Sequence, residues 1–122
     1  MFKLNTDIKP RVVSQLARLK CPPIYLVELF GEPGRGDGCN TSGEYTFTND
    51  SGDFFIVHDF EATTIYWGQK WRVPTPEKFW HSKKPKVLYI NGRVHGNPRP
   101  FIEWLLGKMK STKKIKIDYL VD

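Results

Sequence analysis

The short segment VHDFE contains residue types that could transfer protons, namely His58, Asp59 and Glu61. Histidine and carboxylate side chains act as general bases and acids in RNA cleavage, and nearby lysines could stabilise the phosphate. His95, or alternatively His81, could complete such a pair with His58 and make the chain a small RNase-like hydrolase. Adjacent strand residues point to opposite faces, so His58 and Asp59 share a site only if the strand ends or bulges there. Because a lone histidine in a strand is more often packed, a structural role is the competing interpretation.

Residues 31–43 form a glycine-rich segment that could also carry function. Its five glycines and lack of periodicity predict a long loop, and such loops in compact domains are often functional. The loop could hold a phosphate through backbone N–H groups, but it lacks the Gly-Lys-Ser/Thr ending of a P-loop and leads into a strand. Its Arg35-Gly36-Asp37 tripeptide is most simply a chance match to an integrin-type motif.

Charge is divided along the chain. The net charge is +6, and residues 83–122 hold ten Lys and Arg against three acids, whereas residues 32–61 hold seven acids against Arg35 alone. This asymmetry determines which partners approach each region, although it says nothing about the fold.

The lysine-rich end offers a possible nucleic-acid-binding surface, formed by Lys108, Lys110, Lys113 and Lys114. Lysines near a helix end also suit the negative end of the helix dipole, so a solvated turn explains much of this cluster. Nucleic-acid binding additionally requires exposed aromatic rings that stack on bases.

The segment TTIYWGQKWRVP is rich in large aromatic side chains. Alternation along a strand over TTIYW places Trp67 on one face and Tyr66 on the other. We therefore expect Trp67 and Trp80 in the core, and Tyr66, Trp71 and Arg72 at the surface. Tyrosine, tryptophan and arginine are the types enriched at the centres of protein interfaces.

Cysteines and apolar runs limit the remaining classes. Cys21 and Cys39 alone make neither a disulfide framework nor a zinc site, so we expect reduced thiols, no metal and no cofactor. No apolar stretch approaches the roughly 18 residues that a membrane span requires. The expectation is a soluble, cytoplasmic protein that does not bind membranes.

The chain of 122 residues, 39% apolar, is the size of one domain. Apolar spacing predicts a helix over 7–20 that ends at Pro22-Pro23, followed by a central strand over 24–30 whose odd carboxylate is Glu28. Next come a predicted hairpin of EYTFT and DFFIVHDF joined by NDSG, a strand over TTIYW, and a short helix from Thr75 to His81. A strand KVLYI then ends in a turn at Asn91-Gly92. Asn97-Pro98 begins a second long helix, whose apolar stripe is Phe101, Ile102, Leu105 and Met109, and KIKIDYLV is the final strand. The sum is a single α+β domain over residues 1–122, with a mainly antiparallel sheet of about six strands, two longer helices and one short helix.

The leading functional hypothesis is a non-enzymatic protein-binding module. In format, a small α+β domain with exposed aromatics and no catalytic signature is similar to many bacterial inhibitor, antitoxin and immunity proteins. An aromatic and arginine anchor at Tyr66, Trp71 and Arg72 would hold the partner. The acidic region with Arg35, Asp37, Asp59 and Glu61 would face a basic target, such as a toxin or a nuclease. The alternatives are nucleic-acid binding by the lysine-rich end and the hydrolase described above.

Overall fold

The computed structural model describes residues 1–5, 13–68, 72–109 and 114–120. Its strands are β1 (Lys3–Leu4), β2 (Ser14–Cys21), β3 (Gly34–Arg35), β4 (Gly43–Thr48), β5 (Phe54–His58), β6 (Lys86–Arg93) and β7 (Lys116–Tyr119). Its helices are α1 (Ile24–Phe30), α2 (Thr64–Trp67), α3 (Pro76–Trp80) and α4 (Arg99–Met109). All strand pairs are antiparallel in the order β1-β4-β5-β6-β2-β7, and β3 pairs with β4 outside that path. The predicted α+β domain is confirmed, and its described part has seven strands and four helices.

The hairpin of β4 and β5 forms where it was predicted. Its turn is held by Asn49, whose side-chain oxygen accepts hydrogen bonds from the backbone N–H groups of Ser51 and Asp53, each at 3.0 Å. Gly52 adopts a φ of 82°, which glycine tolerates far better than other residues. Local turn chemistry therefore sets the register that pairs Glu44 with His58 at the other end of the hairpin.

The predicted helix over 7–20 is wrong in its described part. Ser14–Cys21 is strand β2, in which Ala17 and Leu19 are buried while Arg18 and Lys20 are exposed. This alternation has the period of two that a strand requires, and it fits the pairing of β2 with both β6 and β7. Residues 6–12 lie outside the described part.

The predicted central strand over 24–30 is also wrong, because this segment is helix α1. The two prolines begin the helix: the N–H of Tyr25 bonds to Pro22 O at 3.1 Å, and that of Leu26 to Pro23 O at 3.0 Å. Proline is tolerated at a helix start because the first N–H groups have no partner within the helix. Glu28 is exposed on this helix, so its charge needs no buried partner.

The predicted turn at Asn91-Gly92 is absent, because both residues lie inside β6. Gly92 pairs with Ser14 on one side and Phe55 on the other. A Cβ atom at Gly92 would lie 2.6 Å from the carbonyl oxygen of Phe54 and 2.9 Å from Cδ1 of Leu16. Close approach of neighbouring backbone, and not turn formation, therefore requires glycine here.

The remaining helices follow their predicted capping. Thr75 Oγ1 accepts a hydrogen bond from Lys78 N at 3.3 Å and begins α3, while Asn97 Oδ1 accepts one from Arg99 N at 3.0 Å and begins α4. The predicted stripe of α4 is buried, namely Phe101, Ile102, Leu105 and Met109. Strand β7 alternates as predicted over its described length.

The two faces of the sheet differ in composition. The core face packs against α1, α3 and α4, and its centre is the stack of Phe55 on Phe101, with ring centroids 4.1 Å apart and an interplanar angle of 7°. The opposite face, which we call the outer face, carries the alternate strand residues. One continuous row of opposed residues crosses it from β7 to β4: Asp118, Arg18, Tyr89, His58 and Glu44. Charged and aromatic groups therefore share the outer face.

Candidate functional site

Asp37 organises the glycine-rich loop. Its Oδ1 accepts hydrogen bonds from the backbone N–H groups of Cys39, Asn40 and Thr41 at 2.8, 2.8 and 2.9 Å. Thr41 Oγ1 in turn accepts one from Asp37 N at 2.9 Å. Partial burial opposes ionisation of Asp37, but these N–H donors outweigh it and lower the pKa of the carboxyl. The loop thus presents a fixed, exposed negative charge.

Asp59 has an internal role, because its side chain is completely buried. Its carboxylate accepts hydrogen bonds from Ser42 N at 2.9 Å, from Gly43 N at 3.1 Å and from the Ser42 hydroxyl. Ser42 Oγ also accepts a hydrogen bond from Trp80 Nε1 at 3.2 Å. Asp59 therefore fixes the glycine-rich loop to the sheet and presents no surface to a partner.

Glu61 connects the loop to helix α2. Its backbone N–H donates to Asn40 O at 2.6 Å, and its carbonyl oxygen accepts a hydrogen bond from Trp67 Nε1 at 2.8 Å. The Glu61 carboxylate raises the pKa of Tyr66, first through its negative charge and then as the acceptor of a hydrogen bond from the phenol. The backbone and side chain of Glu61 thereby hold the loop and the aromatic residues side by side.

The strand predicted over TTIYW is a short capped helix instead. Thr63 is its N-cap, with Oγ1 accepting a hydrogen bond from Ile65 N at 3.3 Å, and Gly68 ends it with a φ of 80°. Ile65, Tyr66 and Trp67 are 44%, 43% and 41% exposed. The surface position of Tyr66 is confirmed, whereas the core position of Trp67 is wrong, because the helical turn removes the alternation on which it depended. Trp80, at 2% exposed, is in the core as expected.

We call the surface formed by Asp37, Glu61, Ile65, Tyr66 and Trp67 the acidic-aromatic patch. Sequence reasoning missed Ile65 and Trp67. The threonine before this segment and the glycine after it are the capping residues of a short helix, and that signal could have revealed them.

Of the other expected partner-binding residues, Arg35 is exposed on β3 and Arg72 is exposed after α2, while Trp71 lies outside the described residues. Lys108 is exposed near the end of α4, with Nζ 5.8 Å from the ring centroid of Trp104, and Lys114 is exposed before β7. Lys110 and Lys113 fall outside the described part.

The three histidines lie in separate places. His95 Nδ1 is 2.8 Å from Asp53 Oδ1, and His81 Nε2 is 2.9 Å from Glu32 Oε2. His58 is at the opposite end of β5 from Asp53, five residues along the strand, which corresponds to roughly 17 Å. A site that uses His58 and His95 together is therefore not assembled in this conformation.

His58 is buried and packs against Tyr89 on the outer face. Burial lowers its pKa, even though the Asn91 amide and the Asp59 charge favour protonation. Within the described residues, His58 Nδ1 and Asn91 Oδ1 are the buried side-chain polar atoms that lack a hydrogen-bond partner. The imidazole ring stacks on Tyr89, with centroids 6.0 Å apart and planes 22° apart. Stacking on Tyr89 gives this histidine a structural role.

Both cysteines are free. Burial raises the pKa of Cys21 to about 12, whereas Cys39 is exposed in the glycine-rich loop. In the described ranges, no cluster of three or more His, Cys, Asp and Glu side chains is arranged to hold a metal ion. None of the helices in those ranges has the length and apolar composition for crossing a membrane.

No protein-family model matches this sequence, and neither does any curated protein.

Proposed function

We propose that the chain is a non-enzymatic protein-binding module, of the inhibitor, immunity or antitoxin type, that presents the acidic-aromatic patch to a basic partner such as a toxin or a nuclease. The exposure of Ile65, Tyr66 and Trp67 on one short helix supports this most directly. Large apolar side chains that are exposed side by side are typical of interaction sites, whereas isolated ones need no explanation.

The patch is also held in place before any partner binds. Trp67 is fixed by its bond to Glu61 O, and its ring makes an edge-to-face contact with Tyr66 at 5.0 Å between centroids. Aromatic side chains that are already ordered lose little conformational entropy on binding. Tyrosine and tryptophan in such a setting are the residue types that dominate interface energetics.

The charge of the patch favours a basic partner. Asp37 is exposed and its lowered pKa keeps it ionised near neutral pH, and Glu61 adds a second carboxylate beside Tyr66. The rest of the chain is basic overall, so these acids mark a local reversal of charge. Complementary charge speeds association and orients the approaching protein, while the aromatic rings, once the partner buries them, supply most of the affinity.

The proposal is tested by quantitative affinity capture from the cells that produce the protein. The immobilised full chain should retain a basic protein in stoichiometric amount. Trp67→Ala should reduce the affinity of that protein by about 2 kcal/mol, roughly 30-fold, because tryptophan truncation at an interface centre has effects of this size. The affinity is measured by calorimetry with the purified partner.

The matched control is Leu29→Ala, which removes a side chain of similar exposure (41%) from α1. This variant should bind as the unmodified chain does. The proposal is contradicted if Trp67→Ala and Leu29→Ala bind the partner equally well, or if no captured protein needs the patch for its binding.

A further inference from the structure

A concave surface lies on the outer face. It is a groove of about 580 Å³ that runs across β7, β2 and β6. Its lining residues are Arg18, Lys20, Val87, Tyr89, Lys116, Ile117 and Asp118. We call it the basic groove, and among the described residues of the lysine-rich end neither Lys108 nor Lys114 lines it.

Two lysines face each other across this groove. Lys20 on β2 is directly opposite Lys116 on β7, and both are exposed. Opposed like charges on neighbouring strands destabilise a sheet unless a counter-charge lies nearby. The acid of the groove, Asp118, is already paired with Arg18 at 2.7 Å. Within the described residues neither lysine has an ion-pair partner, so the groove carries positive charge that an anionic ligand would neutralise.

The aromatic ring of Tyr89 lines the groove next to these lysines. Tyr89 is opposite Arg18 and lies two residues along β6 from Val87, the residue opposite Lys20, which corresponds to roughly 7 Å. The Tyr89 ring stacks on His58 and makes an edge-to-face contact with Phe60 at 5.8 Å. The position of the ring is therefore fixed, and it remains partly exposed.

A smaller depression of about 270 Å³ adjoins the basic groove and includes Phe60, Val87 and Tyr89. Glu61 of the acidic-aromatic patch also lines it. Lys86 lines the same depression, so an anionic chain would meet both signs of charge there and would be attracted most strongly at Lys20 and Lys116.

We infer that the basic groove binds a single strand of nucleic acid, with phosphates at Lys20 and Lys116 and a base against Tyr89. A nucleotide carries an anionic group and a flat ring a short distance apart, and the groove offers a complement to each. An acidic peptide satisfies the charge but leaves the ring without a stacking partner. This site is independent of the proposed protein-binding function, because it uses none of the residues of the acidic-aromatic patch.

The test is fluorescence anisotropy of a labelled oligothymidylate and a labelled oligouridylate, titrated with the full chain from low to physiological salt. We expect binding of both, with an affinity that falls steeply as salt rises. Lys20→Ala/Lys116→Ala should weaken binding about tenfold or more at low salt. It should also reduce the slope of log affinity against log salt by about 1.4, the value for two lost phosphate contacts on a single strand.

The matched control is Lys108→Ala/Lys114→Ala, which removes the same charge from the lysine-rich end. It should keep most of the affinity of the unmodified chain. If it weakens binding as much as the groove double variant does, the lysine-rich end is the nucleic-acid site and the inference is wrong. Trp67→Ala should bind the oligonucleotides normally, which separates this test from that of the proposed function.

Tyr89→Leu tests the stacking contact. It should weaken binding about fivefold or more without changing the salt slope, since stacking and phosphate contacts contribute separately. A thermal melt checks that the variant is folded, and Val87→Ala supplies a groove control without loss of a ring. The inference is wrong if folded Tyr89→Leu binds with unchanged affinity or if the chain binds no oligonucleotide at low salt. It is also wrong if polyglutamate competes equally well, because that result would favour an acidic protein as the ligand.

Discussion

The acidic-aromatic patch and the basic groove are built by different means. The groove follows from strand register, since pairing of β2 with β6 and β7 by itself brings Lys20, Lys116 and Tyr89 to one face. The patch depends on a loop and a four-residue helix that are held in place by hydrogen bonds accepted by the Asp59 carboxylate and the Glu61 carbonyl oxygen. Loss of a single side chain can therefore disrupt the patch, whereas the groove persists for as long as the sheet does.

The largest effect is expected from Asp59→Ala, which removes the acceptor for three donors at the base of the patch. Leaving these groups without a partner should lower the free energy of unfolding by about 3 kcal/mol, measured by urea denaturation. Partner binding should weaken, while oligonucleotide binding by the folded fraction should be retained. The control Asp50→Ala changes an exposed carboxylate on the hairpin turn and should have an effect within about 0.5 kcal/mol. Similar stabilities for the two variants would contradict the role assigned to Asp59.

A somewhat smaller effect is expected from Gly92→Ala, within the strand beneath the groove. The added methyl group would meet the carbonyl oxygen of Phe54, which belongs to the sheet backbone and moves little. We expect a loss of about 2 kcal/mol in the free energy of unfolding, typical of overpacking. Gly96→Ala is the control, since a Cβ there has open space. Equal thermal stability of the two variants would show that the β5 and β6 backbones are not held as closely as described.

Two histidines should affect stability in opposite directions as the pH changes. Burial lowers the pKa of His58, so its contribution is full above the ordinary value of 6.5 and is lost as pH falls through the folded-state pKa. Glu32 raises the pKa of His81, so the contribution of that residue is present below 6.5 and is lost as pH rises through its folded-state pKa. The lowered pKa values of Asp37 and Asp53 act below their ordinary 3.8, outside this window.

The measurement is the free energy of unfolding between about pH 7 and pH 5 in a His81→Gln background. Stability should decline toward the acid end, and adding His58→Phe should remove that decline. A decline that persists without His58 would assign it to another group.

The smallest expected effect on stability comes from labelling Cys39. Under native conditions a maleimide should react with Cys39 and leave Cys21 unmodified until the chain is denatured, because Cys21 is buried and its pKa is raised to about 12. Cys39 is close enough to Tyr66 to contribute to the raised pKa of that phenol, so the label should block partner binding without changing oligonucleotide binding. Cys39→Ser treated in the same way is the control. Equal loss of both activities would contradict the independence of the two surfaces.

The sequence predicted those parts of the fold in which one signal dominates. Asn49 and Gly52 predicted the hairpin, Thr75 with Pro76 predicted α3, and the apolar stripe with Asn97 predicted α4. The segment 24–30 would be apolar on both faces of a strand, so periodicity could not distinguish a buried strand from a short buried helix. The neighbouring segment that forms β2 was misassigned as well. At Asn91-Gly92, a strong local turn signal was overridden by tertiary packing against Phe54 and Leu16.

The surfaces were predicted less completely than the fold. The exposure of Tyr66 followed from the sequence, but that of Trp67 did not, because it depends on a single helical turn. The sequence alone could not reveal that Asp59 is internal, since its donors come from Ser42 and Gly43, which are distant in sequence. The basic groove could not be foreseen either, because it requires β7 to pair with β2, and that pairing is a long-range contact.

We expect partner binding to use the acidic-aromatic patch and not the basic groove. The direct measurement is the affinity of the captured partner for three chains: unmodified, Trp67→Ala, and Lys20→Ala/Lys116→Ala. Trp67→Ala should lose about 2 kcal/mol of binding free energy, and the double lysine variant should bind with near-normal affinity. Near-normal affinity for Trp67→Ala together with a large loss for Lys20→Ala/Lys116→Ala would contradict this expectation.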